Sequence, residues 1–371
     1  MKKNDTAHTY HGVKNAFFFV NLVFDIALLL IFFLSGLSSV LKQFSFQFSS
    51  SVFLGNGIYF LIFAIGMYIL HFPLHFFIDF VWEHKFQLST QKFSQWFADD
   101  MKKSLITFIV LLLIVEVAYL LLDRAAGSWW IWAGFFWLLI TFFLAKITPH
   151  VIIPLFYKYS EIENKELKER IFGLFETCRV SLKNVYAIDM SSKTKKANAF
   201  FCGIGKGRRV VLGDTLLENF STPEIEVVVA HELGHHKHWD ILKLLCVNAM
   251  TIFLGLFLVD KVLQYSLVRF GLERIDDVAF FPMIVLALMM FGLLSMPLIN
   301  GYSRRIERQA DQFSIQLTQK PDDFISTMRK LGEMNLSEFQ PNRFIEFLFY
   351  DHPPLDQRIR WAQSIKSSKK E

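Results

Sequence analysis

Cysteine is scarce in this sequence of 371 residues, which contains only three. Cys178, Cys202 and Cys246 lie far apart and form no Cys-x-x-Cys pair. This excludes a disulfide framework and a zinc site built on paired cysteines, and it is typical of a reducing compartment. Charged residues are also few, at 20% of the chain, and the net charge of +5 is not concentrated in one segment. We therefore expect no nucleic-acid partner.

Long polar stretches are rare as well, because 53% of the residues are hydrophobic and 42 are Phe. A soluble enzyme of this size is seldom so apolar, so the composition indicates an integral membrane protein. The hydrophobic runs predict six membrane spans, at residues 16–40, 52–77, 105–122, 129–147, 241–259 and 280–299. The first run is too long for a cleaved signal peptide and no small-residue cleavage site follows it, so we expect a retained anchor.

The distribution of basic residues predicts the orientation in the membrane. Lys2, Lys3 and Lys14 precede the main apolar part of the first span, and more lysines lie between the second and third spans. Two loops on the opposite side contain few basic residues, with Lys42 in the first and Arg124 in the third, whereas the loop near Lys261, Arg269 and Arg274 gives no clear preference. By the positive-inside rule, both termini and the segment after the fourth span should face the cytoplasm. The basic surface would then lie against anionic lipid.

The main soluble insert contains an unbroken His-Glu-x-x-His motif, from His231 to His235. Ser221, with Glu224 three residues later, predicts a helix start just before it. On a helix both histidines lie on one face and can bind one metal ion, while Glu232 can accept a proton from a water at that metal. The pattern is typical of a zinc peptidase. The alternative is a core helix with incidental histidines.

A catalytic zinc site needs a third protein ligand. His236 follows at i+5 from His231 and rotates off the ligand face, while His238, at i+7, lies at the helix end; we expect both to be exposed or at the membrane interface. Glu307 is a better candidate, since it shares a helix face with Asp311. One carboxylate could bind zinc and the other could accept a ring N–H from a ligating histidine. Spacing alone also allows a solvated charged face with neighbouring arginines as partners.

Two β-prone runs precede the motif, at Phe200-Phe201 and at residues 210–212, with Gly203, Gly205 and Gly207 between them. This pattern predicts a hairpin. An exposed edge strand can hold an extended peptide by β-augmentation. The glycine spacing could also indicate a nucleotide-binding loop, but no helix opens directly after it. A second histidine pair, His71 and His75, lies in the second span, where we expect cavity-lining or packing groups rather than a metal site.

These segments together resemble the type I CaaX prenyl proteases, which are integral-membrane zinc endopeptidases, and more distantly the bacterial heat-shock membrane zinc proteases. The matching segments are HELGHHKH at 231–238, SRRIERQAD at 303–311, residues 197–201 leading into 209–217, and DHPPL at 351–355. The resemblance covers most of the chain from about Phe80 onward. Two positions depart from the family pattern: Asp240, where another His is usual, and Asp351, where a small hydroxyl residue is usual. Eukaryotic members are also longer and have one more span.

The resemblance implies a role for each residue of the site. It implies that one Zn²⁺ ion is bound by His231, His235 and Glu307, with Glu232 as general base and Asp311 as the acidic residue that supports the ligands. It implies that an oxyanion is stabilised by His352 and Arg358. The strand that binds the substrate backbone would contain Asn198, Ala199 and Phe200. The implied partners are peptide or protein substrates, prenylated ones among them, and membrane lipid, with no obligate protein partner evident.

The predicted fold is mainly α, with about six membrane helices around a cavity and a small α+β, gluzincin-like catalytic domain at the cytoplasmic face. Residues 1–157 would form a four-span membrane region and residues 158–240 the catalytic insert. Residues 241–300 would form a two-span hairpin, and residues 301–371 the third ligand's helix and C-terminal helices.

The predicted function is a membrane-embedded zinc metalloendopeptidase. Its substrates would be prenylated C-terminal CaaX peptides or membrane proteins in quality control. The alternative is a membrane transport or lipid-binding protein with a structural zinc site, against which the intact Glu232 argues because a structural site has no use for a base.

Overall fold

A computed structural model describes residues 3–203, 207–270 and 274–368, so Lys2 and Gly205 lie outside the described residues. In this part of the chain six helices are long and apolar enough to cross a membrane, which confirms the predicted number of spans. They are α1 (Lys3–Leu34), α3 (Val52–His75), α5 (Phe93–Arg124), α6 (Trp129–Ile147), α11 (Asp240–Phe270) and α12 (Phe281–Thr318); the short helix α2 (Leu37–Gln47) follows α1. The fold is mainly helical, as predicted.

Several helices differ in length from the predicted spans. The first ends at Leu34 rather than at residue 40, because Gly36 has φ of 80°, a left-handed conformation that interrupts the helix. The third begins at Phe93 and the sixth continues to Thr318, well beyond their apolar runs. Hydropathy marks only the part of a helix that faces lipid, so it underestimates the length of a helix that continues into polar surroundings.

The end of the second span is irregular. Pro73 lies inside α3, and a π-helical turn at Phe76–Val81 leads into α4 (Trp82–Lys85). Proline removes one backbone donor, and such turns are a common way to accommodate the disturbed hydrogen bonds. One turn earlier, His71 Nε2 lies 2.7 Å from Asp25 Oδ1 on α1. His71 therefore joins two membrane helices; the role of His75 stays a prediction.

The soluble insert is a four-stranded sheet with helices. After a π-helical turn at Thr148–Ile152 its elements are α7 (Ile153–Phe156), β1 (Tyr159–Glu161), α8 (Lys165–Thr177), β2 (Asn184–Ile188), β3 (Ala199–Cys202), β4 (Arg209–Gly213), α9 (Asp214–Asn219) and α10 (Thr222–Lys237). The strand order is β1-β2-β4-β3, so β3 is an edge strand. It pairs antiparallel with β4, which confirms the predicted hairpin.

Helices α8 and α10 pack together against one face of the sheet. Leu167, Ile171 and Phe175 recur every fourth residue on one face of α8, and all three are buried. They share a core with Val210 of β4 and Leu233 of α10. This core fixes the motif helix against the sheet, with the edge strand beside it.

The C-terminal helices α13 (Pro321–Met334), α14 (Arg343–Phe349) and α15 (Leu355–Ser368) complete the structure. Phe324 of α13 and Ala362 of α15 are buried in a second core with Val227 of α10. The predicted division at residues 300 and 301 lies inside α12, which continues without a break from its apolar run to Thr318. The domain division stays a prediction.

Candidate active site

The motif helix α10 begins as predicted. Ser221 and Glu224 form a capping box, and Pro223 lies in the first turn. The Glu224 carboxylate is buried, and it accepts hydrogen bonds from Lys330 (2.6 Å) and Ser326 (2.6 Å) of α13. The cap therefore fixes the start of the helix and also joins it to α13.

Helices α10 and α12 pack closely at the motif. A Cβ atom on Gly234 would lie 3.2 Å from Cα of Ala310 and 3.2 Å from the Phe313 ring. Glycine here lets the two backbones approach, and this approach brings the Glu307 side chain to the motif histidines. His231, His235 and Glu307 form a group that could hold a metal ion.

The distances within this group fit zinc. His231 Nε2 lies 3.1 Å from His235 Nε2 and 3.1 Å from Glu307 Oε2, and His235 Nε2 lies 3.3 Å from Glu307 Oε1. Ligand atoms about 2.0–2.1 Å from a tetrahedral zinc ion are about 3.3–3.4 Å apart. Oε2 of Glu307 is also buried without a hydrogen bond among the described residues. Two imidazole nitrogens and a carboxylate are a donor set that suits catalytic zinc.

Asp311 lies behind His231, on the same face of α12 as Glu307. Its Oδ1 lies 3.0 Å from His231 Nδ1, and the carboxylate is 1% exposed. Arg358 of α15 donates to both oxygens of Asp311, from Nε (2.8 Å) and Nη2 (2.5 Å). The guanidinium neutralises a buried carboxylate that orients the histidine, an arrangement common behind zinc ligands.

Asp240 lies behind His235 in the same way as Asp311 lies behind His231. Its Oδ2 lies 3.1 Å from His235 Nδ1, and its side chain is 1% exposed. Helix α10 ends at Lys237, and Trp239 has φ of 60°, so the chain turns back before α11 begins at Asp240. Sequence reasoning treated Asp240 only as a departure from the family pattern. The left-handed turn that returns it to the site has no clear signal in the sequence.

Asp351, the other departure, contacts the third histidine. His352 Nδ1 donates to Asp351 at 2.7 Å, and this hydrogen bond lowers the pKa of the Asp351 carboxyl. The opposite nitrogen of His352, Nε2, lies 3.2 Å from Glu307 Oε1. His352 is half-exposed, so its ring lies at the open side of the group.

Glu232 lies next to the metal-binding group, at a small cavity of about 160 Å³. Burial raises the pKa of its carboxyl, and the neighbouring His231 and His235 oppose this shift. A carboxylate whose pKa is raised is a stronger base than an ordinary one, which suits a group that must accept and return a proton. His352 and Arg358 line the same cavity.

The edge strand borders this cavity, which Asn198 and Ala199 also line. Just before them, Ala197 donates to Asn335 Oδ1 at 2.9 Å and accepts from its Nδ2 at 3.3 Å. Asn335 is a further residue that the sequence did not reveal. Phe200 packs on the opposite face of the sheet, in a cluster with Ile188 and Val211.

His236 and His238 lie away from the metal-binding group, as predicted. The ring of His236 lies 5.3 Å from that of Phe201, and the ring of His238 lies 5.6 Å from that of Phe313. The structure thus brings all of the predicted residues except Phe200 to one cavity, to its metal-binding group or, for Asp311, directly behind that group. It adds Asp240, Asp351 and Asn335.

An integral-membrane fold with a His-His-Glu group and an adjacent glutamate defines a membrane metalloprotease, and comparison with known proteins agrees. The sequence model described as peptidase family M48 matches residues 161–366. A second one, described as the CAAX prenyl protease N-terminal region with five membrane helices, matches residues 2–158. The described residues of that stretch contain four candidate spans. The chain belongs to peptidase family M48.

Individual relatives support this assignment. An uncharacterised metalloprotease of Bacillus subtilis, YhfN, is 29% identical over 98% of this chain and 86% of that protein. CAAX prenyl protease 1 of Saccharomyces cerevisiae is 27% identical over 80% of this chain and 70% of that protein. The crystal structure of S. mikatae Ste24p matches the fold with a TM-score of 0.87 at 22% identity, covering 97% of this chain and 89% of that one.

The protein is therefore a multi-pass membrane metalloprotease of the CAAX prenyl protease type, a hydrolase that acts on peptides or proteins. Its family implies a metal cofactor, typically zinc. The comparisons give no support to the transport alternative.

Proposed function

We propose that the protein is a zinc endopeptidase with one Zn²⁺ per chain, held by His231, His235 and Glu307. The observation that carries this proposal is the set of three ligand atoms spaced 3.1–3.3 Å apart beside Glu232. Zinc at this position would supply a Lewis acid that polarises the scissile carbonyl and acidifies the attacking water. Asp311 and Asp240 keep each ligand histidine in one tautomer, with Nε2 directed at the metal.

Glu232 is the proposed general base. It accepts the proton of the attacking water and then delivers it to the leaving amine. Its partly desolvated carboxyl suits both transfers. His352 lies at the open side of the group; in its imidazolium form, with Nδ1–H on Asp351, it would donate from Nε2 to the developing oxyanion. Arg358, with Nε and Nη2 on Asp311, adds positive charge at the base of the cavity.

The substrate is proposed to bind as an added strand along the free edge of β3. The peptide backbone would pair with Asn198, Ala199 and Phe200 and pass the metal-binding group. The metal-binding group lies where α11 begins and on the polar extension of α12, close to the membrane part of both helices. This position favours a substrate held at the membrane, such as a prenylated CaaX peptide or a membrane protein in quality control.

The active site and both termini are proposed to face the cytoplasm. Lys14 near the start of α1 forms an ion pair with Glu83 at the end of the second span, and Lys196 before β3 binds the same carboxylate. These contacts support placing the N-terminus and the catalytic insert on one side of the membrane. The basic residues on this side then orient it toward the cytoplasm.

The test is cleavage of a quenched CaaX-type peptide, farnesylated or unmodified, by the purified protein. Glu232→Gln should keep one zinc per chain by elemental analysis and lose cleavage. Glu176→Gln, at an exposed glutamate of α8, is the matched control and should cleave normally. Equal turnover by wild type and E232Q would contradict the mechanism. A preference for the farnesylated peptide would support the prenyl substrate, and equal cleavage of both peptides would contradict it.

A further inference from the structure

A second cavity lies at the other end of the membrane helices. Its volume is about 700 Å³, and it is bounded by α2, α3, the last turns of α5 and the segment just before α12. Glu307 is far away, since at 1.5 Å per residue it lies about 40 Å along α12 from Phe281. The cavity is therefore separate from the candidate active site.

Charged residues at this cavity form ion pairs with each other. Lys42 lies 2.7 Å from Asp277, and Arg274 lies 2.7 Å from both Asp123 and Asp276. Asp277 also accepts a hydrogen bond from the backbone N–H of Ala279, so its position is fixed. These residues thus satisfy one another without a ligand.

Two other residues that line the cavity, Glu116 and Tyr119, each have a buried polar atom without a hydrogen-bond partner among the described residues. Glu116 is 8% exposed and Tyr119 is 5% exposed. Among the described residues, neither Oε1 of Glu116 nor the Tyr119 hydroxyl has a hydrogen-bond partner. Glu116 lies two turns inside α5 from its end at Arg124. A carboxyl group at this depth without a partner is costly, and it is a default sign of a functional site.

The remaining walls are apolar. Phe53 of α3 and Leu113, Val117 and Leu120 of α5 line the cavity beside Glu116. A ligand that fits this arrangement needs hydrogen-bond donors with positive charge at one end and an aliphatic body at the other. A primary ammonium group has three N–H donors and the charge that complements a carboxylate.

We propose that this cavity binds the primary ammonium group of an amphiphile. The Glu116 carboxylate accepts N–H hydrogen bonds, the Tyr119 hydroxyl accepts another, and the aliphatic chain lies along Phe53 and Val117. Phosphatidylethanolamine and a free small amine share this head-group chemistry. The membrane supplies the lipid at high local concentration, so the lipid is the expected occupant.

The experiment is native mass spectrometry of the purified protein with dioleoyl phosphatidylethanolamine or dioleoyl phosphatidylcholine. The two lipids have the same acyl chains and the same positive charge, but choline has three N-methyl groups in place of the three N–H donors. Wild type and Glu176→Gln should retain phosphatidylethanolamine at least about fivefold better. In Glu116→Gln the ratio should fall toward one, because glutamine keeps the shape but cannot form the charge-assisted N–H hydrogen bonds that distinguish the two lipids. Zinc content and peptide cleavage should not change.

A second variant and a soluble amine complete the test. Tyr119→Phe should lower the lipid ratio without abolishing it, and it replaces E116Q if that variant does not fold. A thermal shift with ethanolamine that requires Glu116, without lipid preference, would assign the site to a free amine. Equal retention of both lipids by wild type with no ethanolamine shift, or a preference that survives in both variants, would overturn the proposal.

Discussion

Each end of the membrane helices contains a carboxyl group that is almost fully buried, and the two have very different surroundings. Glu307 is 6% exposed and lies within 3.3 Å of three imidazole nitrogens. Glu116 is 8% exposed, and no partner is found for its Oε1 among the described residues. Burial is thus nearly equal, and only the partners differ.

The difference in partners distinguishes a site whose side chains are already held in place from a site whose carboxyl group has no protein partner. Three histidines lie against Glu307, the two of the metal-binding group and His352. Each has a carboxylate at its other ring nitrogen: Asp311 for His231, Asp240 for His235 and Asp351 for His352. Such second contacts fix the rings before a ligand arrives. Around Glu116 the charged neighbours pair with each other and leave the carboxyl to a ligand. The hydrogen-bond and ion-pair partners of a buried carboxyl group, more than its burial, therefore indicate which kind of ligand its site can bind.

The largest effect should come from Glu307→Gln. This change removes the anionic member of the three proposed ligands and should eliminate stoichiometric zinc together with more than about 99% of peptide cleavage. Elemental analysis and the peptide assay measure the two effects. Glu116→Gln is the comparison variant, with both values expected to equal wild type. Full zinc content in E307Q would show that Glu307 is not a ligand.

Asp240→Asn should have the next largest effect. It leaves all three proposed ligands intact but removes the carboxylate that holds His235, so zinc affinity should fall about 10–100-fold. Titration with a competing chelator measures this change. Lys243→Met is the control, because Lys243 lies 3.0 Å from the other oxygen of Asp240 without contacting the histidine. Unchanged affinity in D240N would reduce Asp240 to a helix-capping role.

A smaller effect is expected from Glu224, which is buried but remote from the metal-binding group. Burial alone would raise the pKa of this carboxyl, but hydrogen bonds from Lys330, Ser326 and Ser221 outweigh it and lower the pKa. Its stabilisation should therefore be complete above its ordinary pKa of 4.5 and be lost as pH falls further.

Glu224→Gln should accordingly lower Tm by about 2–4 °C at pH 7 and leave zinc content intact. The difference from wild type should shrink as the pH falls below about 4. Thermal unfolding followed at several pH values measures both effects, with Glu176→Gln as control. A Tm difference that is the same at pH 7 and below pH 4 would contradict the assigned ionisation.

Much of this architecture could be predicted from the sequence, because its signals are local. The capping box at Ser221 placed the motif on a helix, and the β-prone runs around Gly203 gave the hairpin. The family resemblance selected Glu307 from an otherwise ambiguous charged helix, whereas spacing alone left that choice open.

The rest depends on contacts between distant segments. Asp240 reaches His235 only because Trp239 adopts a left-handed conformation, and Asn335 reaches Ala197 across 138 residues. The unpartnered state of Glu116 is also invisible in the sequence, since it depends on which neighbours pair with each other. The continuous helix from Phe281 to Thr318 likewise extends beyond its apolar run, so hydropathy alone does not give its end.

The central claim, that one zinc ion is held by His231, His235 and Glu307, is tested most directly by anomalous diffraction at the zinc edge. The account predicts one anomalous peak per chain, about 2.0–2.2 Å from Nε2 of both histidines and from a Glu307 oxygen. A zinc peak elsewhere, for example near His71, or a metal-loaded active enzyme with no peak at these three residues would contradict it.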